Sequence, residues 1–562
     1  MGASRKGFRE LLSEHLRWVV PALAAAASLS AALSALSALT FAPFGRDQGI
    51  FQYVAWALRH GARGYRDFHE INGPLPHAWY LVLQALGGED EHVLRTMDTV
   101  FVVCGYAVAS ATIPLWLGRK PSWREAVVWA LAGVGILGSQ YARYDWWNTT
   151  QREALYAVLV YASLAAQVLG HQARAPRSAL WCFAASGLLT ALTWFGKPPC
   201  VVFSALQLAV LVADRKGLCV PLRRAIGFGA VGAAASGVCV LVFVLAYEDL
   251  RSGLEMAAAV PLLHHTIWNK SVLECYQSYG NAPRIDWALA TGVIFLGAFL
   301  VFGLPRRALL VFVLPLGGFA VFAGQGKGFP YHMHMLTLGT GVTELALMAV
   351  AAEWGRRAHA WCDLIAVAAV GLGLEARESA MLSPGIKGSW AEVGADAKLR
   401  SSTSYLEDFP WDDYSLKDLH DASDYVRGHT QPDDRVQTYG LDPYFLFLSR
   451  RQSATPVIYN FELNVDAALE GGDGASLSAS ERKQILSYRS GAESLVLDRA
   501  MASPPAAFVF FDGAPFTYPE NAEEDFARHC PTVHRWLDSR YAPALRFGKI
   551  RVRMRSDIAG AS

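Results

Sequence analysis

Apolar runs of about 20 residues recur along this chain, and a run of that length is what a helix needs to cross a bilayer. No other feature narrows the fold as much, because backbone N–H and C=O groups in lipid must bond within their own helix. The runs lie near Trp18–Thr40, Asp98–Leu117, Trp123–Tyr141, Ala154–Leu169, Ser178–Phe195, Pro199–Val212, Ala225–Tyr247, Trp287–Phe302, Ala308–Phe322, Met335–Ala352 and Trp361–Leu374. The expected fold class is a polytopic α-helical membrane protein with about 11 transmembrane helices. A charged share of only 18% and a mean hydropathy of +0.22 fit that class. The formal net charge of +1 gives no ground for expecting a nucleic-acid partner.

Basic residues resist translocation and collect in cytoplasmic loops. Arg5, Lys6, Arg9 and Arg17 precede the first run, and Arg119, Lys120 and Arg124 follow the second. The pattern continues through Arg174 with Arg177, Arg215 to Arg224, Arg306 with Arg307, and Arg356 with Arg357, so that every second loop is basic. The first run is longer than the apolar core of a signal peptide and is read as a retained signal anchor. "GPLPHAWYLVLQALGG" is too short to span, and counting it would invert every later loop. It is expected to be interfacial or re-entrant, with Trp79 and Tyr80 at the headgroup level.

Beyond about Glu375 the hydropathy falls. The chain is expected to divide into a transmembrane part, 1–376, whose first outer loop is 41–97, and a soluble extracytoplasmic α/β domain, 377–562. "DASDYVRGHTQPDDRVQTYG" reads as helix, turn and strand, and "AAFVFFDG" as a strand. "AEEDFARHCPTVHRWLDSRY" has a helical period, "LRFGKIRVRMR" alternates as a strand does, and "EGGDGASLSAS" reads as a flexible loop.

With that topology the unusual polar residues fall on the outer face. They are Asp47; Arg66, Asp67, His69, Glu70 and Asn72; Asp145, Gln151, Arg152 and Glu153; Lys197; His264, His265 and Lys270; and Lys327, Tyr331, His332 and His334. An ionisable group at membrane depth costs about 2.5–3.5 kcal/mol even on gentle scales unless it is paired or wetted, so such residues mark function by default. Acids, lysines and histidines together suit a reaction in which a hydroxyl loses a proton while an anionic phosphate departs. Plainer readings compete. Asp47 is also a suitable helix N-cap, Glu70 a partner for Arg66 or His69, and Lys197 a snorkelling lysine beside two prolines. Trp146 and Trp147 suit an interfacial belt. Gly324, Gly326 and Gly328 would let backbone amides around Lys327 approach an anion. No His pair with helical spacing and an acid presents itself for zinc, and the need for a divalent metal stays open.

Taken in order, "GRDQGIF", "NGPLP", "TQRE", "GLLTALTWFGKPP" and "GKGFPYH" resemble the GT-C class of membrane glycosyltransferases. Within that class the chain is similar to the bacterial protein O-mannosyltransferase and lipid A aminoarabinose transferase group. The resemblance implies a GT-C-like transmembrane domain in the bacterial inner membrane, a polyprenyl-phosphate-linked sugar as donor, and a lipid, polysaccharide or protein acceptor on the outer face. It implies Asp47 as the catalytic base. Glu70 and either Asp145 or Glu153 would orient sugar or acceptor, and the choice between the last two stays open. Arg66, His69, Arg152, Lys197, Lys327, Tyr331 and His332 would contact substrate, the two lysines holding phosphate. Many members of the group follow the first acid with a second, where this chain has Gln48. The competing class is a transporter or flippase of lipid-linked sugars, since charged residues in spans also mark substrate pathways.

Overall fold

The computed structural model describes residues 26, 29, 30, 32–268, 270–358, 414–470, 477–516 and 520–560, apart from the side chains of 260, 261, 264, 265 and 354–358. The expected span Trp361–Leu374 and the expected boundary at 376/377 lie outside the described residues, as does about half of the first span. Every apolar run expected between Asp98 and Ala352 contains a helix. Among the described residues, six helices are long and apolar enough to cross a membrane: Glu91–Ser110, Arg152–Gln172, Leu222–Tyr247, Ala282–Val301, Arg306–Gly324 and Pro330–Glu353. Trp123–Ala142, Pro176–Trp194 and the shorter Val201–Ala213 pack among them.

Local chemistry sets where these helices begin. The Asp90 side chain accepts from the Val93 amide and the Ser122 hydroxyl from the Glu125 amide, satisfying amides that a first turn leaves without partners. Proline in the first turn, at Pro176, loses nothing because its missing N–H has no intrahelical acceptor there. Packing then relies on small residues. A Cβ at Gly187 would overlap the Gly229 carbonyl, and one at Gly232 the Ala184 carbonyl, so Pro176–Trp194 and Leu222–Tyr247 touch backbone to backbone. Close approach of this kind holds helices together in lipid, where burial of apolar surface gives no net advantage.

Arg152–Gln172 is the most enclosed of the spans, with Tyr156, Val160, Tyr161, Leu164 and Val168 all buried. Its 21 residues reach about 30 Å, roughly the thickness of the hydrocarbon layer. One end gathers the basic loops. Arg119 pairs with Glu125 and with Glu353, Arg307 lies 3.7 Å from Asp214, and Asp214 lies 3.1 Å from His171. The other end gathers residues 44–72, 145–153, 195–197, 248 and 326–334. The alternation of basic and non-basic loops therefore matches the two ends of the bundle.

Residues 414–560 form a five-stranded sheet flanked by helices, in the order β2-β1-β3-β5-β4, from β1 (Arg435–Tyr439), β2 (Gln452–Ser453), β3 (Ala507–Phe511), β4 (Leu545–Phe547) and β5 (Ile550–Met554). β1 is parallel to β2 and β3, whereas β5 is antiparallel to both β3 and β4. Phe508 and Phe510 on β3 face one buried cluster, and Val509 and Phe511 face another, so this central strand is covered on both sides.

Four expectations change. "LRFGKIRVRMR" is not one strand but the hairpin β4–β5, because Gly548 adopts φ 54 between the two. The stretch after Tyr247, expected as a loop, is the helix Leu250–Trp268. It carries His264 and His265, whose side chains are not described. The long helix Ala479–Ala502, opened by a Ser478–Glu481 capping box, was not anticipated. Finally, the aromatics after Asp47, which the sequence leads one to expect on an interfacial helix facing lipid, are turned into the protein. Phe51, Tyr53 and Trp56 are buried, and the helix Arg46–Arg59 that carries them packs against Pro74–Gly87 and against Tyr444–Ser449 of the C-terminal part. Trp56 meets Phe447 edge to face, and the Tyr53 hydroxyl accepts from the Ser453 amide at 3.0 Å. Residues some 400 positions away in sequence supply the covering surface, and no local pattern reveals them.

Candidate active site

Gly45, in extended conformation, opens the helix Arg46–Arg59, which leaves Asp47 in the first turn and not at the N-cap. Gln48 is committed elsewhere: its amide donates to the carbonyls of Trp147 at 2.8 Å and Thr149 at 2.6 Å. Arg46 donates to Asp442 at 2.8 Å and stacks over Trp147 and Tyr414. The two neighbours of Asp47 thus lock the turn that presents it.

A second group of residues comes from the start of the enclosed span. Glu153 Oε1 accepts from Lys197 Nζ at 2.6 Å and from Arg152 Nε at 3.1 Å, and His332 Nε2 stands 3.8 Å away. Lys197 reaches Glu153 because Gly196 leaves room for the Tyr156 ring, and because Gly73 lets the "NGPLP" loop press on the Phe195 carbonyl, where a Cβ would overlap. Arg152 also donates to Asn72 Oδ1 and lies over the Phe51 ring at 5.8 Å. Phe51 is one helical turn beyond Asp47, so that contact sets the guanidinium beside the Asp47 carboxyl. The Tyr331 hydroxyl also acts on the Asp47 carboxyl.

The electrostatics follow from this crowding. Burial pushes the Asp47 carboxyl up, Glu153 and Glu70 add to the shift, and Arg152 and Arg46 oppose it. Burial also lowers the Lys197 ammonium, against the pull of Glu153. Lys327 is lowered to about 7, by burial and then by the like charges of Arg152 and Lys197. Among the described residues, several polar atoms here are buried without a hydrogen-bond partner: Glu153 Oε2, both ring nitrogens of His332, and the Tyr156 hydroxyl. Buried polar atoms are nearly always bonded in folded proteins, so a cluster that is not marks a place where polar groups of a ligand fit.

The remaining candidates are dispersed. Glu70 is buried and saturated. It accepts from the Ile71 amide, from both donor positions on Asn72, from Tyr459 at 3.1 Å and from His77 at 3.3 Å. Burial would raise it, but the His77 contact and the Asn72 hydrogen bond hold it below the usual carboxylate range. His69 pairs with Glu462 at 2.6 Å; burial would lower its imidazole, and that carboxylate raises it instead. Arg66 is half-exposed and paired with its neighbour Asp67. Asp145 closes its own turn by accepting from the Trp147 amide at 2.9 Å, and the groups that act on it most, Trp147, Asn148 and Arg95, lie outside the Asp47–Glu153 cluster. Of Asp145 and Glu153, only Glu153 stands in the cluster.

Several residues of this region escaped the sequence reading. His77, buried in an apolar helix, bridges Glu70 and, at 2.7 Å, Glu248. Burial opposes its charge, yet the two carboxylates raise it to about 9. Arg95 is buried and donates to the carbonyls of Pro43 and Trp146. Tyr459 and Glu462 come from the C-terminal part. An acid directly after a long apolar run, as Glu248 is, is the one available signal. Among the described residues, three metal-type ligands gather at Glu523, His534 and Asp538, but the Arg553 guanidinium already bonds Glu523 and Asp538 there.

No family model matches the chain, and no curated relative matches it. The chain is similar in structure to ArnT from Cupriavidus metallidurans bound to undecaprenyl phosphate, at 13% identity over 95% of this chain and 97% of that one, with a TM-score of 0.46. It is similar to the same protein in the apo state at 14% identity, the same coverage and a TM-score of 0.45.

Proposed function

We propose that this chain is a membrane glycosyltransferase that moves a sugar from a polyprenyl-phosphate donor to an acceptor hydroxyl on the outer face of the bacterial inner membrane. The transmembrane part would be 1–376 and the extracytoplasmic α/β domain 377–562. The observation that carries the reading is the cluster at one end of the apolar bundle. It combines a buried carboxyl whose proton affinity is raised, three cations of the chain's own, and buried polar atoms that have no hydrogen-bond partner among the described residues.

Asp47 takes the proton of the acceptor hydroxyl, whose oxygen attacks the anomeric carbon. The bond from that carbon to the phosphate oxygen breaks, and the electron pair leaves with polyprenyl phosphate. A carboxyl raised towards neutrality suits a base working near pH 7. Lys197, Lys327 and Arg152 face the departing oxygen, where charge grows as the bond breaks. His332, with both nitrogens unbonded, is available to the sugar or the phosphate. The acids and bases at the opposite end of the bundle pair with one another, as a fixed structure needs and a two-sided transport path does not.

The test is to incubate the purified chain in lipid with a panel of radiolabelled polyprenyl-phosphate sugars. One donor should release free polyprenyl phosphate. Movement of an intact donor across vesicles with no release from any would make the chain a flippase instead. A pH dependence follows as well. Lys327 is charged only below about 7, and the diester phosphate of the donor does not titrate there. Donor KM should therefore rise roughly tenfold per pH unit above that point. Lys327→Arg, which stays charged, should flatten the rise; an unchanged slope in that variant would remove Lys327 from the phosphate site.

A further inference from the structure

We infer that Tyr459 and Glu70 are positioning residues, which hold Arg152 in the active-site cluster through Asn72 and so tie the C-terminal part to the chemistry. The inference rests on the reading above for what Arg152 does, but the linkage stands on geometry of its own.

The chain of contacts is short and has one direction. The Tyr459 hydroxyl donates to Glu70 Oε1 at 3.1 Å, and Asn72 Nδ2 donates to Glu70 Oε1 at 2.9 Å and Oε2 at 3.1 Å. With its amide nitrogen directed at a carboxylate, Asn72 has only its oxygen left to offer, and that oxygen accepts from Arg152. The orientation of the amide is thereby decided by Glu70. His77 pins the other oxygen of Glu70 and is itself held by Glu248, at the end of the span Leu222–Tyr247. The Tyr65 hydroxyl donates to the Asn72 carbonyl at 2.7 Å, which fixes the backbone at the same residue. Glu70 has no acceptor capacity left for a substrate proton, so its place is to organise its neighbours.

Tyr459 reaches this network because a segment of the C-terminal part lies against the first loop. The His69 amide donates to the Pro456 carbonyl at 2.6 Å, His69 pairs with Glu462, and Tyr488 donates to that same carboxylate at 2.7 Å. Pro456 to Glu462 therefore acts as a brace on residues 69–72. Loosening it lets Asn72 turn and Arg152 shift, and Arg152 is the charge that most strongly opposes the raised proton affinity of Asp47. The other groups acting on Asp47 include Glu153, Arg46, Glu70, Lys327 and the hydroxyls of Tyr331, Tyr80 and Tyr459; Tyr459→Phe removes only its own neutral hydroxyl and changes the charge of none of the rest.

The experiment is an infrared titration of the carboxyl groups of the full chain in lipid, with Asp47→Asn identifying the Asp47 band. Tyr459→Phe and Asn72→Leu should each raise the Asp47 midpoint by about half a pH unit or more, while thermal unfolding of Tyr459→Phe stays near the parent. Asn72→Gln, which keeps an amide, should recover part of the shift. An unmoved Asp47 midpoint in both Tyr459→Phe and Asn72→Leu would overturn the inference, even if activity fell. The titration needs no turnover. Failure of every sugar donor would overturn the transferase reading while leaving this result to stand or fall by itself.

Discussion

Asp47→Asn is expected to lower sugar transfer on the order of 10²–10⁴-fold, the usual cost of removing a general base. The substitution is close to isosteric. Asn can still meet the Tyr331 hydroxyl, and it takes a buried, desolvated carboxyl out of a place where burial disfavours its charge. Stability and abundance in membranes should therefore be unchanged or slightly higher. Initial rates of polyprenyl phosphate release, normalised to folded protein, are the measurement. A rate within a few-fold of the parent would sink the assignment of Asp47 as base and, with it, the role given to the first turn of its helix.

Lys197→Met should show two separable losses. Glu153 is buried, and Lys197 is its nearest cation at 2.6 Å, so the variant leaves a carboxylate held by Arg152 alone. Breaking a buried pair from one side costs about 3–5 kcal/mol, and the surviving Arg152 contact puts this case at the lower end of that range. A lower midpoint of thermal unfolding and a reduced yield are expected. Adding Glu153→Gln removes the stranded charge and should restore most of the stability. It should not restore transfer, because the cation facing the departing phosphate is still missing. Recovery of transfer along with stability in the double variant would show that Lys197 serves the fold and not the phosphate.

Most of the helical part was legible in the chain. The period and length of the apolar runs placed most of the helices between Asp98 and Ala352, and the basic loops predicted which ends would lie together. Asp47, Arg152, Glu153, Lys197, Lys327, Tyr331 and His332 stood out as charged or polar groups beside such runs, and they do converge. Arg66 and Asp145 stood out equally and do not join them. A local pattern registers that a residue is polar near lipid but says nothing about the direction its side chain takes. The same blindness hid the helix Leu250–Trp268 and the break at Gly548.

The sequence by itself determined that this chain spans a membrane as helices and that its ionisable residues collect at the ends of the bundle, outside the apolar runs. Both follow from local physics, the cost of unbonded backbone and of bare charge in hydrocarbon. Only the tertiary structure decided which acid faces which base. It locked Glu70 under His77, Asn72 and Tyr459, left Glu153 between Lys197 and Arg152, and covered the Asp47 helix with residues from the far end of the chain. Hydrogen bonds and ion pairs act over about 3–4 Å, and contacts that close across hundreds of residues leave no period to read.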